Sequence, residues 1–315
     1  MTEVRGQITE DRGQTTEDRL QKTDEKGQLS KDVKMKRYFL IIVSVVAIFG
    51  TLDGIQAHSD HRMYDLRQSK EMLMSDAISE LKKNRIILVG EHHTNLNHHY
   101  GQLNVIQTLT EAGVRVAIGL EMFRNDSQQA LDQWVAGKIS AEDFQAIYYN
   151  NWTYPWSAYR MIFEYAQKEQ IPMIGLNVPR EITRQVSREG FNSLSDEQRG
   201  KLADVSCRVD KEYMDYIKKA FGGHGHGKMN FTYFCEAQMV WDSAMAVHTL
   251  EYLKKNPDAV VVLLAGAGHV QKGAVPRQIS MRSEVPHAVI LPKIEGIIDP
   301  QTVSNKDADY ILIDF

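Results

Sequence analysis

Two apolar runs in this chain each end in a glycine turn that delivers a histidine. The first reads Ile86-Ile87-Leu88-Val89-Gly90-Glu91-His92-His93, and the second Val260-Val261-Val262-Leu263-Leu264-Ala265-Gly266-Ala267-Gly268-His269. Unbroken Val/Ile/Leu runs suit strands of a parallel sheet covered on both faces, where neither side meets water. Ligands of such sheets sit beyond the carboxyl ends of the strands. Two further runs end in the same way: residues 114–120 lead into Glu121, and residues 172–176 lead into Asn177. One sheet edge is therefore expected to collect Glu91, His92, His93, Glu121, Asn177 and His269. These are the residue types of metal ligation and of general acid/base work.

The remaining pattern supports an α/β fold, a mainly parallel sheet flanked by helices, because strand-like runs alternate with helical ones. Helices are expected near 71–82, after Asn95 or Asn97, and over 126–136, 141–148 and 157–167, with Ser140 as a cap. Two short strands, 288–291 and 310–313, finish the sheet. The stretch from about 181 to 255 lacks strand patterns and reads as a helical insert covering the C-terminal strand ends. Within 148–156 stand five aromatics interrupted by Asn and Pro: Tyr148, Tyr149, Trp152, Tyr154 and Trp156. Neither period fits, so this stretch reads as a loop, either a satellite core or the wall of a flat-ligand pocket.

The front of the chain follows other rules. Residues 1–34 are polar and carry a seven-residue near-repeat (GQITEDR, then GQTTEDR), a composition that cannot bury enough apolar surface to fold. They read as a disordered extension ahead of a start at Met35. Lys36 and Arg37 then precede an apolar run over 38–49, with Ala57 as a small residue before a cut. The run is short for a membrane span and fits a signal peptide over 35–57; retention as a weak anchor is the other option. A single domain over 58–315 is expected. Export would make a disulfide between Cys207 and Cys235 possible, against two buried thiols. A net charge of −4 at pH 7 offers no footprint for nucleic acid.

Three groups of residues could carry chemistry. His93, Glu121 and His269 make a possible three-ligand site for a divalent metal with an open position. His98 and His99 fall in the first turn of a helix, where a neutral imidazole is favoured and could serve as a ligand or electrophile. In the segment Gly223-His224-Gly225-His226-Gly227, small neighbours let a loop wrap a ligand, and Met229 is a soft neighbour; an exposed loop is the alternative. Gln238 and Asp242, four residues apart, form a polar stripe suited to anchoring an arginine such as Arg180.

Taken in order, five motifs resemble the ChaN-like haem-binding lipoproteins. They are Gly90-Glu91-His92-His93 with Asn97-His98-His99, then Gly119-Leu120-Glu121-Met122-Phe123, then Leu176-Asn177-Val178-Pro179-Arg180. Gln238, Asp242, Met245 and Ala246 follow, and Gly266-Ala267-Gly268-His269-Val270 closes the set. The likeness spans about 84–276. That family stands near the Tiki/TraB proteins and the erythromycin-esterase-like hydrolases. The resemblance implies an α/β fold, haem binding and a link to iron acquisition in the periplasm or cell envelope. Haem itself, an outer-membrane haem receptor or envelope transport components, and a possible homodimer would be the partners. This chain departs from the family in lacking a lipobox cysteine and in its histidine-rich loop.

Two functions follow from these residues. As a haem-binding module, the chain would use the aromatic stretch as a flat wall and Tyr149, Tyr154, His224 or His226 as the iron ligand, near Met229. As a hydrolase, it would use Glu91, His93, Glu121 and His269 to activate water on an ester or peptide, by metal or by direct base action. A serine hydrolase is disfavoured, since no Gly-x-Ser-x-Gly elbow is present.

Overall fold

The computed structural model describes residues 61–314 except 203 and 221–229. The polar extension and export signal expected over 1–57 lie outside the described residues. Eight strands form one sheet: β1 (Arg62–Asp65), β2 (Lys70–Leu73), β3 (Ile86–Glu91), β4 (Val116–Arg124), β5 (Met173–Asn177), β6 (Val260–Gly266), β7 (His287–Pro292) and β8 (Tyr310–Leu312). Their order across the sheet is β2-β1-β8-β7-β3-β6-β4-β5. From β8 to β5 every neighbouring pair is parallel, while β1 lies antiparallel to β2 and β8. The Gly-His strands β3 and β6 are central neighbours, with Gly90 opposite Ala265 and Glu91 opposite Gly266.

The helices are α1 (Met74–Leu81), α2 (Leu96–Glu111), α3 (Gln128–Val135), α4 (Ala141–Asn151), α5 (Trp156–Lys168), α6 (Arg180–Glu189), α7 (Asp196–Gly200), α8 (Lys211–Ala220), α9 (Phe231–Lys255), α10 (Ala267–Val270) and α11 (Val275–Ser280). Alternation along the strands explains why two helical layers are needed. Ile87, Val89, Val262 and Leu264 face α1–α5 in one core cluster. Ile86, Leu88, Val261 and Leu263 face α9 and α11 in another. The insert holds α6–α9; its own core packs Val178, Ile182 and Val186 against Ala237, Val240 and Ala244. Among the described residues no helix is long and apolar enough to cross a membrane.

Caps fall where short polar side chains precede apolar faces. The Asn95 side chain accepts from the Asn97 N–H, and the Ser140 hydroxyl accepts from the Asp143 N–H. Two expectations need correction. The helix expected near 71–82 starts only at Met74, because residues 70–73 pair as β2. The expected loop over 148–156 is mostly helical: α4 runs on to Asn151 and α5 begins at Trp156. Tyr148 is fully buried among Phe123, Phe163 and Trp156, and that packing overrides the broken sequence pattern. Cys207 and Cys235 are free thiols.

Strand β4 slips register against β5 between Leu120 and Arg124. The slip brings the Arg124 carbonyl over Gly175, where an added Cβ would sit 2.3 Å from that oxygen. Gly175 instead donates its N–H to the Gln128 side chain at 3.0 Å. Gly175→Ala is therefore expected to cost about 2–3 kcal/mol, because a backbone atom must move. Urea denaturation would measure it, and an unchanged midpoint would contradict the reading.

Candidate functional site

The four residues Glu91, His93, Glu121 and His269 meet at one cavity, although Glu121 stands within β4, which runs on to Arg124 instead of ending at Leu120. Glu91 closes β3 and is buried beneath the others. Its Oε1 lies 2.5 Å from His93 Nδ1 and accepts from the Tyr159 hydroxyl at 2.7 Å. Its Oε2 lies 2.6 Å from His99 Nε2. Burial pushes this carboxyl up, but the contacts with His93 and His99 outweigh it and hold Glu91 at about 2. A permanent carboxylate thus fixes the His93 ring. Burial lowers the His93 imidazole, yet the bond to Glu91 and the charge of Glu121 leave it raised overall.

A second pair faces the first. His269, in the short helix after β6, places Nδ1 2.6 Å from Oδ1 of Asp242 on α9. The other Asp242 oxygen accepts from the Tyr213 hydroxyl of α8. Complete burial raises the Asp242 carboxyl, with His269 and Tyr213 pulling the other way. Burial would lower His269, but Asp242 and Glu121 push it up to about 9. Glu121 stands between the pairs: its Oε1 is 3.8 Å from His269 Nε2, and its Oε2 accepts from the Gly266 N–H at 2.7 Å. A Cβ on Gly266 would lie 3.1 Å from His93 Cε1, so glycine there leaves room for the ring.

Other expected residues take supporting places. Asn177 donates from its side chain to the Glu121 carbonyl at 2.9 Å, which holds the strand end where β4 slips. His92 is exposed and meets Thr94. His98 and His99 are buried behind the site and do not line the cavity. His98 Nδ1 accepts from the His92 N–H at 2.9 Å, and burial holds the ring at about 4. Asp242 does not anchor Arg180; its oxygens are taken by His269 and Tyr213, because α9 presents it to α8 and the β6 turn. The metal reading is not carried either. Among the described residues no group of three or more His, Cys, Asp or Glu is arranged to hold a metal ion. The Nδ1 atoms of His93 and His269 face carboxylates, and Glu121 Oε2 accepts from the Gly266 N–H.

The cavity encloses about 770 Å³. Its floor is Glu91, His93, Glu121 and His269, and its walls include Trp152, Tyr154, Phe234, Trp241, Ile294 and Ile298. The tip between α4 and α5 leans over the floor: the rings of Trp152 and Tyr154 lie 5.1 and 4.9 Å from that of His93. Among the described residues the Tyr154 hydroxyl has no hydrogen-bond partner. The aromatic stretch and the Gly-His edge thus form one site. Tyr149 is the exception, since it lies outside the cavity walls and its hydroxyl accepts from the Trp156 N–H at 3.1 Å. His224, His226 and Met229 lie outside the described residues.

Sequence reasoning passed over Tyr159 and Tyr213, which hold the two buried carboxylates. Their tyrosine spacing on amphipathic helices looks like that of any core residue, so no local signal marked them.

A parallel α/β sheet whose strand-end glycine turns carry paired histidine–carboxylate contacts into an aromatic cavity defines the class to which this protein belongs. The family described as haem-binding uptake, Tiki superfamily, ChaN matches residues 77–279, and the chain belongs to that family. Among solved structures, ChaN of Campylobacter jejuni, described with cofacial heme binding, is 22% identical with a TM-score of 0.64; the match covers 82% of this chain and 98% of that one. An erythromycin esterase mutant, EreC in its open conformation, is 14% identical over 69% of this chain and 72% of its own, with a TM-score of 0.42. The type III effector HopBA1 is 13% identical over 76% and 90%, with a TM-score of 0.42. No curated protein matches the chain.

Proposed function

We propose that this protein binds haem in the cavity over the sheet edge and serves haem or iron acquisition. The observation that carries the reading is Tyr154, a hydroxyl without a partner among the described residues, set in an aromatic wall beside His93. The donor set fits the group: tyrosine and histidine both ligate haem iron, and a cavity of about 770 Å³ has the size of small-molecule sites. Haem supplies the iron chemistry when bound. The chain supplies flat walls from Trp152 and Trp241, a phenolic donor at Tyr154, and a buried proton-holding floor. His224, His226 and Met229 remain proposed neighbours of the ligand by chain position, following directly on Ala220 of the cavity wall.

Membership of a haem-binding family supports this reading. Export through residues 35–57 would place the protein in the periplasm or envelope, beside a haem receptor or transport components, and a homodimer is compatible with the proposal. N-terminal sequencing of the envelope protein checks export; a soluble chain retaining residues 38–49 would refute it.

A visible titration tests the ligand itself. Ferric haem is expected to give a Soret band that Tyr154→Phe shifts, with affinity weakened at least about tenfold. An unshifted band in Tyr154→Phe would move the iron to His93. The paired His–carboxylate contacts favour a second reading, a His/Glu-based hydrolase using Glu91, His93, Glu121 and His269 without metal. It ranks second because the family match favours haem, and ester turnover lost in His93→Ala would promote it.

A further inference from the structure

Arg180 is the first residue of α6 and a half-buried part of the cavity wall. The carboxylates at the cavity floor already face partners of their own: Glu91 meets His93 and His99, Glu121 meets His269 and the Gly266 N–H, and Asp242 meets His269. Lys219, the other described cation of the wall, is held by Asp307 at 3.1 Å. Arg180 has no such partner: among the described residues its guanidinium makes no hydrogen bond or ion pair. Elsewhere the chain pairs its half-buried arginines, as Arg277 with Asp210 and Arg282 with the hydroxyls of Ser206 and Ser243.

A half-buried guanidinium that no side chain pairs gives up part of its hydration with no ion pair in return. Its planar fork matches a carboxylate through two parallel hydrogen bonds. The cavity it lines also carries aromatic and aliphatic side chains, among them Trp152, Tyr154, Trp241 and Ile298. Such a cavity suits a flat apolar ligand with an acidic edge. We infer that Arg180 binds a carboxylate of the ligand, and so makes the site select free-acid porphyrins over esterified ones. The inference rests on the haem reading and adds the group that recognises the propionate side. Arg180 is a binding and orienting residue: fixing the acidic edge sets which way the ring lies against Tyr154.

The test compares two probes on the full chain, ferric haem and its dimethyl ester, by absorbance titration at matched detergent. The wild type is expected to bind the free acid about tenfold or more tightly than the diester, the loss expected of one charge-assisted fork. Arg180→Gln should bring free-acid affinity down to about that of the diester and so abolish the preference, and Arg180→Lys should keep part of it. Circular dichroism checks that each variant folds; if Arg180→Gln does not, Arg180→Lys and the diester comparison decide. Equal binding of the two probes by the wild type, or a preference retained in Arg180→Gln, overturns the role of Arg180 while leaving haem binding standing. Binding of neither probe overturns the haem reading and this inference together.

Discussion

Asp242→Ala is expected to cost about 3–5 kcal/mol, because it takes a buried carboxylate from two buried groups at once. Asp242 is fully buried and joins Tyr213 on α8 to His269 beyond β6. Without it the His269 imidazolium loses its nearest carboxylate, the closer oxygen of Glu121 being 3.8 Å away, and the Tyr213 hydroxyl loses its acceptor. A buried polar group without a partner costs about 1–3 kcal/mol by itself, and a stranded charge costs more. The loss should appear as a lower urea midpoint at unchanged slope. Asp242→Asn keeps an acceptor for Tyr213 and should cost less, while the His269 titration followed by NMR moves down from about 9. Equal stability of Asp242→Ala and the wild type would show that the pair contributes nothing to the fold.

Stability is expected to peak near pH 6.5 and to fall on both sides, with different residues governing each limb. On the alkaline side, His269 sits at about 9 against an ordinary 6.5, because Asp242 and Glu121 overcome its burial. A group raised on folding contributes fully below its unfolded value and loses that contribution as pH climbs through the folded one. His93 is shifted in the same direction. On the acid side, burial holds His98 at about 4, so the unfolded chain gains a proton there first and stability drops as pH falls from 6.5. Glu91 follows: held at about 2 against 4.5 by His93 and His99, it contributes fully above 4.5 and loses that support as pH falls toward 2. For Glu91 and for His269 the contribution is on the order of 3 kcal/mol. Urea midpoints from pH 3 to 9.5 would trace the profile. His269→Ala should flatten the alkaline limb, and an alkaline limb that survives the substitution would contradict the assignment.

The strand ends that build the site were legible because burial on both faces of a parallel sheet leaves a local mark. Residues 86–89 and 260–265 are continuous apolar runs, and the residue after each run has nowhere to go but the carboxyl edge. Glu91, His93, Glu121 and His269 could therefore be placed together before any packing was known. The hairpin β1–β2 left no such mark. It lies at the sheet edge with one face in water, its strands are polar, and its buried Asp65 is satisfied by the N–H groups of Arg67 and Gln68 in the turn. The aromatic stretch misled in part for the opposite reason: its residues are poor helix formers in sequence, yet buried rings hold Tyr148 and Trp156 in α4 and α5, and only residues 152–155 form the loop between them.

By itself, then, the sequence determined which side chains stand at the sheet edge, since alternation and apolar runs are properties of neighbouring residues. Only the tertiary structure decided what those side chains do there. Glu91 is tied to His93, His99 and Tyr159, and His269 to Asp242, through contacts between elements far apart in the chain. The choice between a metal centre, a proton-holding floor and a free donor depends on where each polar atom finds its partner. That is settled when helices α5 and α9 pack onto the sheet and α8 packs onto α9, because a buried hydrogen bond is available to whichever group the packing brings within reach.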